Sequence, residues 1–161
     1  MNKSYLSVSA VVLGLLMMWM GCATKKMPEA ELIGIRYTNT GTMAGYIFEG
    51  EMMKDANGEM VLRAMKESYG PLFEKHLSAD EVSCFRQIME EEKMYEYKER
   101  YLPKWEVLDG ESWMFTAKFA DGSSIDTHGS NAWPQGKGLE RIRSYMEQLV
   151  QDGVQIEEID E

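Results

Sequence analysis

Residues 113 to 128 constrain the fold most, because they read as one hairpin whose register is selected by burial. Trp113, Phe115, Ala117 and Phe119 alternate with Met114, Thr116 and Lys118, the two-residue period of a half-buried strand. Asp121-Gly122 supplies the turn. A two-residue loop would set Phe115 opposite His128 and Ile125 opposite Lys118, mixing polar and apolar side chains on both faces. A three-residue loop, Ala120-Asp121-Gly122, pairs Phe119 with Ser123 and leaves Gly122 at the left-handed position of a bulge. Ile125 then faces Ala117, Thr127 faces Phe115, and one face is uniformly apolar. A one-residue slip would move every side chain across the sheet, so the three-residue register is expected.

The rest of the chain adds elements around this hairpin. Ile33, Ile35 and Tyr37 alternate with Gly34 and Arg36, and Asn39-Thr40-Gly41 turns into a second run, Met43 to Met53. Asp55-Ala56-Asn57-Gly58 is a further turn before a third run, Glu59 to Met65, and Gly70-Pro71 breaks the pattern. Ser78 and Glu81 form a capping box, with Leu77 and Val82 placed to clasp across it. Val82, Phe85, Ile88 and Met89 make the apolar face of a helix from about Ala79 to Glu92. A last helix carries Leu139, Ile142, Met146, Leu149 and Val150 and stops at Gly153. Strands grouped rather than alternating with helices predict an α+β fold. The expected form is an antiparallel sheet of about five strands with two amphipathic helices packed on it, in the order βββ-α-ββ-α. Residues 31–153 would be the single domain, followed by a loosely held acidic tail, 154–161.

The N-terminus speaks to location. Asn2-Lys3-Ser4 is a positive start, Tyr5 to Met20 carries no charge, and Gly21-Cys22-Ala23 follows. This is the layout of a secretory signal, and the cysteine after a small residue resembles a bacterial lipoprotein signal. The resemblance implies cleavage after residue 21, lipid on the Cys22 sulfur and a membrane anchor. Ala23 rather than Asp after the cysteine implies the outer membrane over the inner one. The other readings are an uncleaved anchor, although the 16 uncharged residues fall short of the roughly 20 that span a bilayer, and plain cleavage that leaves a free thiol. Residues 22–30, with Lys25, Lys26 and Pro28, read as a short lipidated tether.

Charge and cysteines exclude several functions. Loss of residues 1 to 21 leaves 140 residues and takes the net charge from −10 to −11. An acidic body is repelled by nucleic acid, so no nucleic-acid partner is expected. With Cys22 acylated only Cys84 remains, which allows no disulfide and no cysteine metal cluster. Its position between Val82 and Phe85 suggests core packing.

Three patterns could carry function. The hairpin register puts Lys118, Ser124, Asp126 and His128 on the face opposite the core, with Ser130 just beyond. Asp126, His128 and Ser130 hold the residue types of a hydrolase, a carboxylate to orient an imidazole and a hydroxyl nucleophile, but nothing presents Ser130 on a strained turn or supplies oxyanion donors. A solvated strand face is the favoured account, and no catalytic residue is assigned. Metal binding would fall to His76 and His128, far apart in sequence, so no metal or other cofactor is expected. Gly136-Lys137-Gly138 opens the last helix and could attract an anion, but without the rest of a phosphate-binding motif a flexible bend is the preferred account. The strongest candidate is aromatic. Tyr95, Tyr97, Tyr101 and Trp105, interleaved with charges and with Trp133 as a neighbour, suit a surface that binds an envelope protein or glycan. The competing account makes some of these rings the edge of the core. Most of the ten methionines left after cleavage should be core filler.

Overall fold

The computed structural model describes residues 25–41, 45–105, 107 and 109–156. The signal-peptide reading and Cys22 lie outside these residues, as do residues 157–161 of the tail. The hairpin forms in the three-residue register. β6 (Glu111–Phe119) pairs with β7 (Ser124–Ser130) through Phe115 opposite Thr127 and Ala117 opposite Ile125. Phe119 N–H donates to Ser123 O at 3.0 Å, and Gly122 takes φ 84°, the left-handed region that favours glycine.

Around it run β1 (Leu32–Gly41), β2 (Gly45–Lys54), β3 (Met60–Met65) and β4 (Leu72–His76). The remaining strands are β5 (Arg100–Tyr101) and β8 (Val154–Ile156). Together they make one sheet in the order β5-β7-β6-β1-β2-β3-β4-β8. α+β therefore holds, but the expected sheet of about five antiparallel strands becomes a mixed sheet of eight. Every pairing is antiparallel except the two-residue match of β5 with β7. β4 escapes a pattern search because Leu72-Phe73-Glu74-Lys75-His76 has no alternation. Its partners make it a strand, with β3 on one side and β8 on the other. Val154–Ile156, expected in a loose tail, is thereby the far edge of the sheet.

α1 (Ala79–Glu91) and α2 (Gly138–Leu149) both lie on one face. They are antiparallel: Tyr145 Oη donates to Glu81 O at 3.2 Å near the start of α1, while Glu92, just past its end, meets Lys137 and Arg141. The capping box of α1 is complete, with Ser78 N–H donating to Glu81 Oε2 at 2.8 Å and Glu81 N–H to Ser78 Oγ at 3.3 Å. Phe85, Ile88 and Met89 from α1 and Leu139, Ile142 and Met146 from α2 close over Ile35, Phe48, Met52, Leu62, Phe115 and Ala117. Two single-residue expectations change. A register shift between Leu32 and Gly34 turns Leu32 rather than Ile33 into the core. Cys84 is exposed rather than buried, since one residue turns about 100° around a helix and carries it off the Phe85 stripe.

The described part of the segment read as a tether, from Lys25 on, is bonded to the body. Arg86 donates to Pro28 O and, at 2.8 Å, to Ala30 O. Ala120 N–H donates to Glu31 O at 2.8 Å, and Lys25 Nζ to Tyr97 O at 3.3 Å. Met27 and Ala30 pack against the core.

Candidate functional site

The aromatic segment divides between core and surface. Tyr97 is buried, and Tyr101 is half-buried with its ring 6.5 Å from that of Tyr97 and 5.7 Å from that of Trp113. Tyr95 is half-buried against the core. The backbone here clamps β7: Thr127 Oγ1 donates to Lys98 O at 2.7 Å, and His128 N–H to Glu99 O at 3.0 Å. The Tyr97 hydroxyl is buried without a hydrogen-bond partner of ordinary geometry. Burial pushes its pKa up, with Glu92 adding to the shift and the Gly138 backbone opposing it. A Cβ at Gly138 would come within 2.6 Å of that hydroxyl and 2.8 Å of Met94 Cγ, so only glycine lets α2 start so close. Tyr97 thus lies in the core and Tyr101 at its edge.

The two tryptophans are exposed, Trp105 at 76% and Trp133 at 46%. Leu102 at 54% and Val107 at 43% share the loop of Trp105. Both loops leave the same end of the sheet, because Tyr101 pairs with Gly129, Ser112 with Ser130 and Glu111 with Gly41. The Trp133 loop is held firmly. Asn131 N–H donates to Glu111 O at 2.8 Å, Asn131 Oδ1 accepts from Glu111 N–H at 2.9 Å, and the buried Trp113 donates through Nε1 to Ala132 O at 2.8 Å. Tyr69, fully exposed in the β3–β4 loop, projects at the same end farther across the sheet. Eight large apolar side chains are exposed among the described residues, and five of them sit in these end loops. Four of them, Leu102, Trp105, Val107 and Trp133, belong to the two loops beside β5 and β7.

The polar trio does not assemble. Asp126 and His128 lie on the exposed face of β7 as expected, with Ser130 half-buried. Same-face neighbours on a strand stand about 6.6 Å apart. Asp126 accepts from Ser124 Oγ, and Ser112 Oγ donates to Ser130 Oγ at 3.4 Å. Among the described residues no hydrogen bond joins His128 to either partner, so no nucleophile–base pair is formed.

Two features invisible to local reading complete the picture. His76 comes to Glu59, Nδ1 to Oε2 at 3.1 Å, with Asp55 close enough that all three donor atoms lie within 4.8 Å. Asp55 Oδ1 already accepts the N–H groups of Asn57 and Glu59 at 2.9 Å, and these contacts, the one to Glu59 foremost, hold its carboxyl below the usual range. The trio is a turn-to-strand clasp at the surface, with Asp55 half-buried and Glu59 and His76 exposed. The start of α2, considered above as an anion site, is filled by Glu92: Oε2 accepts from Lys137 N–H at 3.1 Å, and Oε1 from Arg141 at 3.0 Å. Arg141 first, then the Lys137 backbone, holds the Glu92 carboxyl below its ordinary pKa. The helix carries its own anion.

The open face of the sheet bears two adjoining grooves of about 610 and 450 Å³ that share Glu51. Arg36–Glu49 and Arg63–Glu74, each at 2.8 Å, cross this face. Among the described residues no helix is long and apolar enough to cross a membrane. No known protein family, curated protein or solved structure matches the chain.

Proposed function

We propose that this chain is a lipid-anchored, non-catalytic binding module of the bacterial envelope, held through Cys22 at the outer membrane. Its working surface is the sheet end that carries Trp105 and Trp133. The observation that carries this reading is the gathering of Leu102, Trp105, Val107 and Trp133 in two loops at one end, where solvent contact is unfavourable for each. Rigid aromatic anchors ringed by polar residues are the usual source of binding energy at protein and glycan interfaces. The partner is an envelope protein or glycan that offers an apolar patch or a sugar face. Of the residues expected to bind, Tyr95, Tyr97, Tyr101, Trp105 and Trp133, this reading keeps the two tryptophans, the tyrosines being buried or half-buried.

A photo-reactive amino acid placed at Trp105, Trp133 or the exposed open-face residue Met53, followed by irradiation of intact cells, tests the location. Discrete adducts at 105 and 133 but not at 53 are expected. Adducts confined to 53 would move the working surface to the grooved face.

A further inference from the structure

We propose that the strapped N-terminal segment seats the β6–β7 turn end of the domain directly on the lipid bilayer and points the tryptophan end away from it. This rests on the lipid-anchor reading above and adds an orientation to it. Only Ala23 and Thr24 separate Cys22 from Lys25, so three Cα steps of roughly 3.5 Å bound the distance from anchor to body at about 10 Å. From Lys25 on the chain is held to the body at several points. Lys25 Nζ donates to Tyr97 O, Met27 and Ala30 pack on the core, Arg86 grips the carbonyls of Pro28 and Ala30, and Glu31 O accepts from Ala120 N–H.

The Glu31 grip lies at the end of the sheet where Leu32 pairs with Phe119 and the β6–β7 turn closes, and the Lys25 grip lies beside the turn-proximal half of β7, in a groove with Ser123, Ser124 and Asp126. The tryptophan loops flank the other end, where Gly41 pairs with Glu111. Eight steps of β6 at about 3.3 Å place the two ends about 26 Å apart. A domain leashed that closely at one end cannot turn its other end to the membrane without breaking the strap.

Charge does not set this orientation. Lys25, Lys26, Lys54, Arg86 and Lys118 share this end with Glu29, Glu31, Asp121 and Asp126, and Lys54 is paired with Glu31, a near balance that leaves no strong basic patch to attract anionic headgroups. The ligand of this end is the bilayer surface itself, met through the anchor.

Energy transfer to a membrane dye tests the inference on the full lipidated chain, purified from cells and reconstituted in phosphatidylcholine vesicles. In a Cys84→Ser background, a donor is attached at Ser124→Cys or at Lys104→Cys, and mass spectrometry first confirms lipid on residue 22. Transfer from position 124 should exceed that from position 104 several-fold and be unaffected by salt. A long Gly-Ser insertion between Thr24 and Lys25, which leaves the fold untouched, should bring the two signals to near parity. Equal transfer in the lipidated parent, or a ratio that survives the insertion or collapses in salt, overturns the orientation while leaving the anchor standing. A chain without lipid overturns both.

Discussion

Tyr97 carries a buried hydroxyl with no hydrogen-bond partner of ordinary geometry, at the point where α2 begins against it. Removing a buried, unpartnered polar group costs little, whereas emptying an aromatic site leaves a cavity. Tyr97→Phe should therefore be neutral or slightly stabilising, and Tyr97→Ala should cost about 3–5 kcal/mol, both read by urea unfolding. Glu81 makes a second residue-scale prediction. Its carboxyl is held below the ordinary range by Lys75 first and by the Ser78 N–H second, with burial opposing. A depressed folded pKa stabilises above the unfolded value of about 4.3 and loses that contribution as pH falls through the folded value. Glu81→Gln keeps the capping geometry but not the charge. Its stability deficit should be present at neutral pH and shrink below about pH 4. A deficit independent of pH would show that the Lys75 contact, 2.8 Å in length, contributes nothing as an ion pair.

Elements divide by how far their determinants lie along the chain. The capping box, the helical stripes and the β6–β7 register depend on residues within a turn or a hairpin of one another, and the sequence alone defines them. The elements that escape it are held from a distance. β4 and β8 exist through each other and through β3. The start of α2 has no cap of its own and takes Glu92, 45 residues from Lys137. The strap closes over 56 residues from Arg86 to Ala30. None of these pairings leaves a periodicity, so spacing cannot find them. The candidate site divides in the same way. Its aromatic composition was legible, but which rings face solvent depends on the clamp over β7. The hairpin also makes a direct prediction. Phe115 is fully buried and Lys118 exposed. Phe115→Ala should cost about 3–5 kcal/mol, against no more than about 0.5 kcal/mol for Lys118→Ala. Small, equal losses would contradict the register.

At the scale of the whole molecule the sheet has two dissimilar ends and two dissimilar faces. One face is sealed by the helices, and the other is open and crossed by ion pairs. One end is closed by the strap, and the other exposes tryptophans. In the proposed account the anchor and the working surface occupy opposite ends, so the bilayer does not compete with the partner. The central claim is that Trp105, not the polar strand of His128, does the work. It is tested most directly by partner capture in intact cells with wild type, Trp105→Ala and His128→Ala, each with its melting temperature. Both side chains are exposed, so both variants should melt with the wild type. Trp105→Ala should lose about 2 kcal/mol of affinity, or about 30-fold, and His128→Ala none. A folded Trp105→Ala that captures normally, beside a folded His128→Ala that does not, would contradict the account.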